Sequence, residues 1–329
     1  MIQIATLVGL LGVLLAAGLV AYQGVGEVFS ALATAGWGLV WASLFHFVAM
    51  GFNGHAWRVL MPGRRPPRLG FFIWIVWVRE SVNGLLPVAR IGGEVVTTRL
   101  LMRHGFRPAA SAAGIVVDVT LSMVSQFFFT LIGLALLIQR SRDWAVIGNV
   151  ALGLLLTVVL VGAFLVAQRV GLFGLLAKFF RLLFGDRFDG LVGGARGLDR
   201  SVKLIYRRPA RVISCTFWQL VGWIAGAGEI WLAAWFLGYP LDLEDALLIE
   251  SLIQAVSSSA FIIPGAAGVQ EGAFLLIGSL VGMPSEGAIA LALARRVRDL
   301  ILFVPGLLTW QWDEGRGLIS RLGSVIRQR

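Results

Sequence analysis

Cysteine occurs once, as Cys215, which excludes an internal disulfide and any site built from several cysteines. Histidine occurs three times, as His46, His55 and His104, and the H-E-x-x-H pattern of a zinc peptidase is absent. So are a Walker A loop and a G-x-S-x-G elbow, so phosphoryl transfer and serine hydrolysis have no sequence support. Charge is scarce as well, at 14% of 329 residues, where a soluble domain carries about 25%.

What fills the space is apolar. The chain is 58% hydrophobic, with a mean hydropathy of +0.84. Those values describe an all-α polytopic membrane protein. A net charge of +10 would suit nucleic acid, but the basic residues fall mostly between apolar runs. The anionic cytoplasmic leaflet is therefore the expected partner, and nucleic acid is not.

A helix crosses the bilayer core with about 20 residues. The runs Ile2–Tyr22, Trp37–Leu60, Pro108–Ile138, Trp144–Gln168, Arg211–Leu237 and Glu286–Trp312 predict about six full spans. Ile2–Tyr22 has no Lys or Arg before it and no clear cleavage site, so it reads as a span rather than a signal peptide. Two further apolar stretches, Leu69–Leu101 and Ala246–Val281, contain SVNGLLPVARIGGE (Ser81–Glu94) and SSSAFIIPGAAGVQE (Ser257–Glu271). Each passes from serine through an apolar pair to a proline, then through small residues to a glutamate. The interval from Pro87 to Glu94 equals that from Pro264 to Glu271. Both stretches read as broken or re-entrant hairpins, with breaks at Pro87, Gly92, Gly93, Pro264, Gly265 and Gly268. Irregular backbone at membrane depth survives only where protein buries it or water reaches it.

Loop charge gives orientation. Arg64, Arg65 and Arg68, then Arg99, Arg103 and Arg107, the segment 169–211 and the C-terminal Arg316, Arg321, Arg327 and Arg329 are basic. The Tyr239–Asp245 loop is acidic, with Asp242, Glu244 and Asp245. Basic loops and both termini are assigned to the cytoplasm of a bacterial inner membrane. Arg140 and Arg142, on the outer side, run against the scheme. Helix, broken hairpin, helix then occurs twice, at 37–138 and 211–312, with the second copy entering from the opposite side. That is an inverted repeat within one transmembrane domain, the plan of many secondary transporters. Between the copies, residues 169–208 form a connector. Its apolar positions, from Leu172 to Phe184, recur at helical spacing between Lys178, Arg181 and Arg187, as in a helix lying on the cytoplasmic surface.

Ionisable groups within spans are costly and point to function. Arg79, Glu80, Arg90 and Glu94 accompany the first hairpin, and Glu250 and Glu271 the second. Asp118 and Glu229 lie within spans, and Arg295, Arg296, Arg298 and Asp299 interrupt the last one. Arg295 follows Glu286 by nine residues, which places it roughly 13 Å deep at 1.5 Å per residue. Arg90, Glu94, Arg99, Glu271, Arg295 and Arg296 are the expected head-group site, in which arginines take an anionic or hydroxylated group by forked hydrogen bonds. Helices beginning near Gly93 and Val269 are expected to direct free N–H groups into it. The alternative is internal pairing. Asp299 stands i+4 from Arg295 and i+3 from Arg296, so either pair can form on one helix face. Asp118 and Glu229 suit a direct role and pairing equally. His46 and His55, with Asn53 on the same run, read as packing or interhelical hydrogen bonding rather than as metal ligands. No metal or cofactor is expected.

LLPVARIGGEVVTTRLL (Leu85–Leu101) and PGAAGVQEGAF (Pro264–Phe274) resemble the flippase-like family related to the transmembrane region of lysylphosphatidylglycerol synthases. The resemblance covers most of the chain and falls on Pro87, Gly92, Gly93, Glu94, Arg99, Pro264, Gly265, Gly268 and Glu271. It implies a membrane region that moves a lipid between leaflets. RESVNGLLPVARIGGE looks most like the hopanoid-biosynthesis-associated branch, which implies a hopanoid cargo. The synthases continue into a soluble aminoacyl-transfer domain, whereas this chain ends at Arg329, so lipid lysylation is not expected of it. The expected function is lipid translocation, with lipid-biosynthesis enzymes as possible partners. A membrane-embedded enzyme using Glu94 or Glu271 as general base, and a non-catalytic scaffold, are the alternatives.

Overall fold

The computed structural model describes residues 35–61, 67–86, 92–140, 162–168, 170–172, 189–259 and 268–327, with isolated residues at 33, 148, 152, 153, 155 and 159; for 189–193, 259 and 316–327 only the backbone is described. Among the described residues every regular element is helical. In chain order these are α1 (Trp37–Leu60), α2 (Leu69–Leu85), α3 (Gly92–Arg103), α4 (Pro108–Arg140), α5 (Asp189–Tyr206), α6 (Pro209–Phe236), α7 (Leu243–Ser259), α8 (Val269–Leu280) and α9 (Ser285–Arg327). Pro108 and Pro209 open α4 and α6, where the missing N–H is one the helix could not bond anyway. The expected runs at Trp37, Pro108, Arg211 and Glu286 fall on α1, α4, α6 and α9. Ile2–Tyr22, the breaks Pro87, Pro264 and Gly265, and Arg90 lie outside the described residues, as does most of Trp144–Gln168.

Each proline-containing stretch is two helices. The first gives α2 and α3, of 17 and 12 residues. The second gives α7 and α8, also of 17 and 12 residues. Each pair folds back on itself, α2 on α3 and α7 on α8. The packing between the halves is reciprocal: α2 lies on α9, α7 lies on α4, and α1 pairs with α6. Close contacts of one kind seal both crossings. A Cβ built on Gly306 of α9 would overlap Ser81 Oγ of α2, and one on Gly133 of α4 would overlap Ser251 Oγ of α7. Small residues allow helix backbones this approach inside a membrane, where dispersion contact drives association. Pro305 interrupts the α9 ladder one residue earlier, and beside it the Trp77 indole donates to the Leu302 carbonyl at 2.7 Å.

Gly306→Leu is expected to force α2 from α9 and to cost about 1–3 kcal/mol, the usual range for overpacking. Gly315→Ala, on the same helix in open space, is expected to be neutral or slightly stabilising. Thermal unfolding of both variants in detergent measures the difference.

Two apolar clusters form the interior. One joins Met50 and Trp57, Phe72 and Ile75, Leu100, Leu121 and Leu302. The other joins Leu39, Leu137, Ile230, Ile249, Phe274 and Leu291. Large apolar residues are also turned outward: Met123, Phe128 and Ile138 of α4 are 45–49% exposed, while Asp118 of the same helix is 1% exposed. Charge inside and hydrocarbon outside is the arrangement that a lipid solvent favours and water does not.

Among the described residues one helix, Pro108–Arg140, is long and apolar enough to cross a membrane by length and composition alone. The other long helices are diluted by polar and charged residues, such as Glu229 in α6 and Arg295, Arg296, Arg298 and Asp299 in α9. In the connector, α5 packs on α4, with Val202 and Ile205 buried and Arg196, Arg200 and Lys203 exposed. Part of its apolar face thus rests on protein. The residues from 173 to 184 lie outside the described ones.

Candidate functional site

The ionisable residues meet between the two apolar clusters. On α9 the sequence ALARRVRDLIL places Ala294 and Val297 in one cluster and Leu302 in the other, with three arginines and an aspartate at the junction. The turn spreads these charges to different neighbours. Arg295 Nη2 donates to both oxygens of Glu250 on α7, at 2.7 and 2.6 Å. Both side chains are 3% exposed. Arg296 donates to Glu271 of α8 through Nη2 at 2.8 Å and Nε at 3.1 Å. Arg298 donates to Glu229 of α6 at 3.1 Å and to Asp299 at 2.6 Å. The expected Arg295–Asp299 and Arg296–Asp299 pairs are therefore corrected. Asp299 is held by its neighbour Arg298, and the other two arginines turn to the second hairpin.

The first hairpin is tied in the same way. Arg79 of α2 donates to Asp118 of α4 at 2.6 Å, and the amide of Gln219 on α6 donates to the other Asp118 oxygen at 2.8 Å. Glu80, the next residue, meets His46 Nε2 of α1 at 3.0 Å. His46 Nδ1 faces Glu229 at 2.8 Å. A continuous path thus runs from Glu80 through His46, Glu229 and Arg298 to Asp299. Seven helices, α1, α2, α4 and α6 to α9, contribute to these pairs.

The motif glutamates sit at the roots of the hairpins. Glu94 accepts from the Asn83 amide through both oxygens at 3.2 Å, and Asn83 Oδ1 accepts from the Gly93 N–H at 2.8 Å. Asn83 therefore staples α2 to the start of α3, which includes Gly92. Gly93 has no room for a side chain, since a Cβ would lie 2.6 Å from the Arg79 carbonyl. In the second hairpin Gly268 has φ 78, a conformation that favours glycine. Its N–H donates to Glu271 Oε2 at 2.6 Å, one half of a capping box. The N–H groups of Gly93 and Gly268 are thus already bonded. No described contact joins Glu94 to Glu271.

Arg99 pairs away from the core with Glu314 at 3.2 Å, beside the Arg103–Asp313 pair at 3.0 Å. These pairs border a groove of about 500 Å3 lined by Trp74, Leu308, Thr309, Trp312 and Asp313. Arg99 and Arg295 therefore do not share one site. Asp118 and Glu229, left open by the sequence, are both paired. The residues that sequence reasoning omitted from the site are His46, Arg79, Glu80, Glu250 and Arg298. Their signal was available for all but His46, because each is an ionisable residue inside an apolar run. A small cavity lies at the centre, lined by Ser43, Glu229, Arg295 and Arg298 among others, with room for about one water molecule. Two further donors of Arg295, Nε and Nη1, find no acceptor among the described residues.

Outward hydrocarbon, a buried net of charge and two folded-back helix pairs define the class: a helical membrane protein with a polar centre. The family model for the lysylphosphatidylglycerol synthase TM region matches residues 9–306, so the chain belongs to that family. The family marks it as a membrane protein related to lipid handling. No curated protein and no solved structure matches it.

Proposed function

We propose that the protein moves an amphiphilic lipid between the leaflets of a bacterial inner membrane. The two halves, α1 to α4 and α6 to α9, act as inverted copies, with N- and C-termini in the cytoplasm. The equal helix lengths of the hairpins and their reciprocal packing support this reading. The observation that carries it is the ion-pair net, which ties each hairpin to a long helix of its own half. Such pairs can exchange partners as the hairpins shift, so a polar head can cross without facing bare hydrocarbon.

Of the two pairs that α9 makes with hairpin 2, Arg296–Glu271 is the more accessible, with the glutamate side chain 30% exposed. A phosphate head replaces Glu271 on Arg296, since the guanidinium fork suits both oxyanions, and a hydroxyl head accepts from one of its N–H groups. The likeness of Arg79–Glu94 to the hopanoid-associated branch favours a hopanoid cargo. Lipid lysylation is no part of this reading. Glu94 and Glu271 act as tethers rather than general bases, because their oxygens are engaged by Asn83, Arg296 and the Gly268 N–H.

The test is reconstitution of the purified chain into liposomes carrying a fluorescent lipid analogue in both leaflets. Reduction by an impermeant reagent is expected to pass beyond the outer-leaflet half in protein-containing vesicles. Bleaching that stops at that half, with hopanoid and phospholipid analogues alike, overturns the reading. Chemical change in the lipid, seen by mass spectrometry, favours an enzyme instead.

A further inference from the structure

His46 is placed against two carboxylates at once, Glu80 of α2 at 3.0 Å from Nε2 and Glu229 of α6 at 2.8 Å from Nδ1. An ionised carboxylate only accepts, and a neutral imidazole has a single N–H. With His46 neutral and both carboxylates ionised, one of these contacts sets a lone pair against an oxygen. The contact set closes only with one more proton, held on the ring or on one of the carboxylates. The other charges facing the group are on α9: Arg298 Nη1 lies 3.4 Å from His46 Nδ1 and donates to Glu229, and Asp299 holds the far side of Arg298. Arg295 and Glu250 lie beyond, bonded to each other. Arg79, next to Glu80, is turned to Asp118 of α4.

We propose that His46, Glu80 and Glu229 form a proton-binding site whose occupancy is coupled to movement of the first hairpin. The proton-free arrangement is also on hand. When His46 keeps its proton on Nε2, that nitrogen still donates to Glu80. Nδ1 then becomes an acceptor, and its available donor is Arg298. The Nδ1–Glu229 contact opens, and Glu229 remains with Arg298. Binding or loss of a single proton therefore makes or breaks the His46–Glu229 contact between α6 and α1, which carries the first hairpin through Glu80. The side chains of Glu80 and His46 are 25% and 16% exposed, against 6% for Glu229, so Glu80 is the member nearest the surface. Ionisable chains of this kind inside membranes serve proton relays. The coupling to lipid rests on the translocase reading; the proton site does not.

The test has two arms. In the full chain labelled with 15N-histidine, three ring spin systems are expected, and the one removed by His46→Gln is assigned to His46. That ring is expected to pass between doubly and singly protonated forms as pH changes, and Glu80→Gln, at the most exposed member, is expected to shift the transition by about a unit or more. If His46→Gln fails to fold, the response to Glu80→Gln assigns the ring. Ring 15N shifts that do not move with pH, or that ignore Glu80→Gln, overturn the proton site. In liposomes, an imposed pH gradient is expected to change wild-type lipid movement by about tenfold, and to leave Glu80→Gln unaffected. Lipid movement that ignores the gradient overturns the coupling while leaving the translocase reading intact. No lipid movement at all, with the ring titrating as expected, overturns the translocase reading and the coupling but not the site.

Discussion

Glu250→Ala is expected to be the most destabilising single substitution in the core, by about 3–5 kcal/mol, the usual cost of stranding one member of a buried ion pair. Arg295 is 4% exposed, and Glu250 is the acceptor for its Nη2 group. Two more of its donors already lack a described acceptor. Removing the carboxylate therefore leaves a guanidinium with no anion of its own. The double replacement Arg295→Met, Glu250→Leu removes both charges and fills the space with hydrocarbon. It is expected to recover to within about 1–2 kcal/mol of the wild type, because buried pairs contribute little net stability against apolar residues of similar volume. Unfolding in mixed detergent measures both. Equal losses in the single and double variants would show that the stranded Arg295 charge is not the cause of the loss.

The second large effect is on transport. Glu271→Gln keeps an oxygen able to accept the Gly268 N–H and removes the charge that holds Arg296. Lipid movement is expected to fall by about tenfold or more, corresponding to about 1.4 kcal/mol in the barrier, with the protein still folded. Arg296→Gln is expected to do the same, and the double variant to be little worse than either, because residues acting as one unit are not additive. Glu286→Gln, at an exposed position at the start of α9, serves as the control and is expected to have no effect. Additive losses from Glu271→Gln and Arg296→Gln would separate the two residues and remove the pair from the site.

The starts of α1, α4, α6 and α9 were legible to within two residues because they depend on local chemistry, whereas Gly92 and Gly93, expected in a break, already belong to α3. Hydropathy sets α1 to within the run Trp37–Leu60, and the glycines of IGGE and AAGV begin α3 and cap α8. The charged residues inside apolar runs were legible as a group for the same reason: each stands out against its immediate neighbours. Their partners were not. Helical spacing made Asp299 the natural anion for Arg295 or Arg296, yet the adjacent Arg298 takes it, which leaves Arg295 and Arg296 for Glu250 and Glu271. Those choices depend on how α7 and α8 are rotated against α9, which no local pattern records. His46, read as packing or interhelical hydrogen bonding, proves to be the latter, but its partners Glu80 of α2 and Glu229 of α6 are set by helix packing that no local pattern records.

The central claim is that the two hairpin-bearing halves enter the membrane from opposite sides. Single cysteines at Arg68 and Ser285 test it most directly. Both positions are exposed, just before α2 and at the start of α9, and the native Cys215 is buried and gives little background. An impermeant thiol reagent applied to intact cells and to inside-out vesicles reads the side of each. The account predicts labelling of Arg68→Cys only from the cytoplasmic face and of Ser285→Cys only from the outer face. Labelling of both from the same face would contradict it.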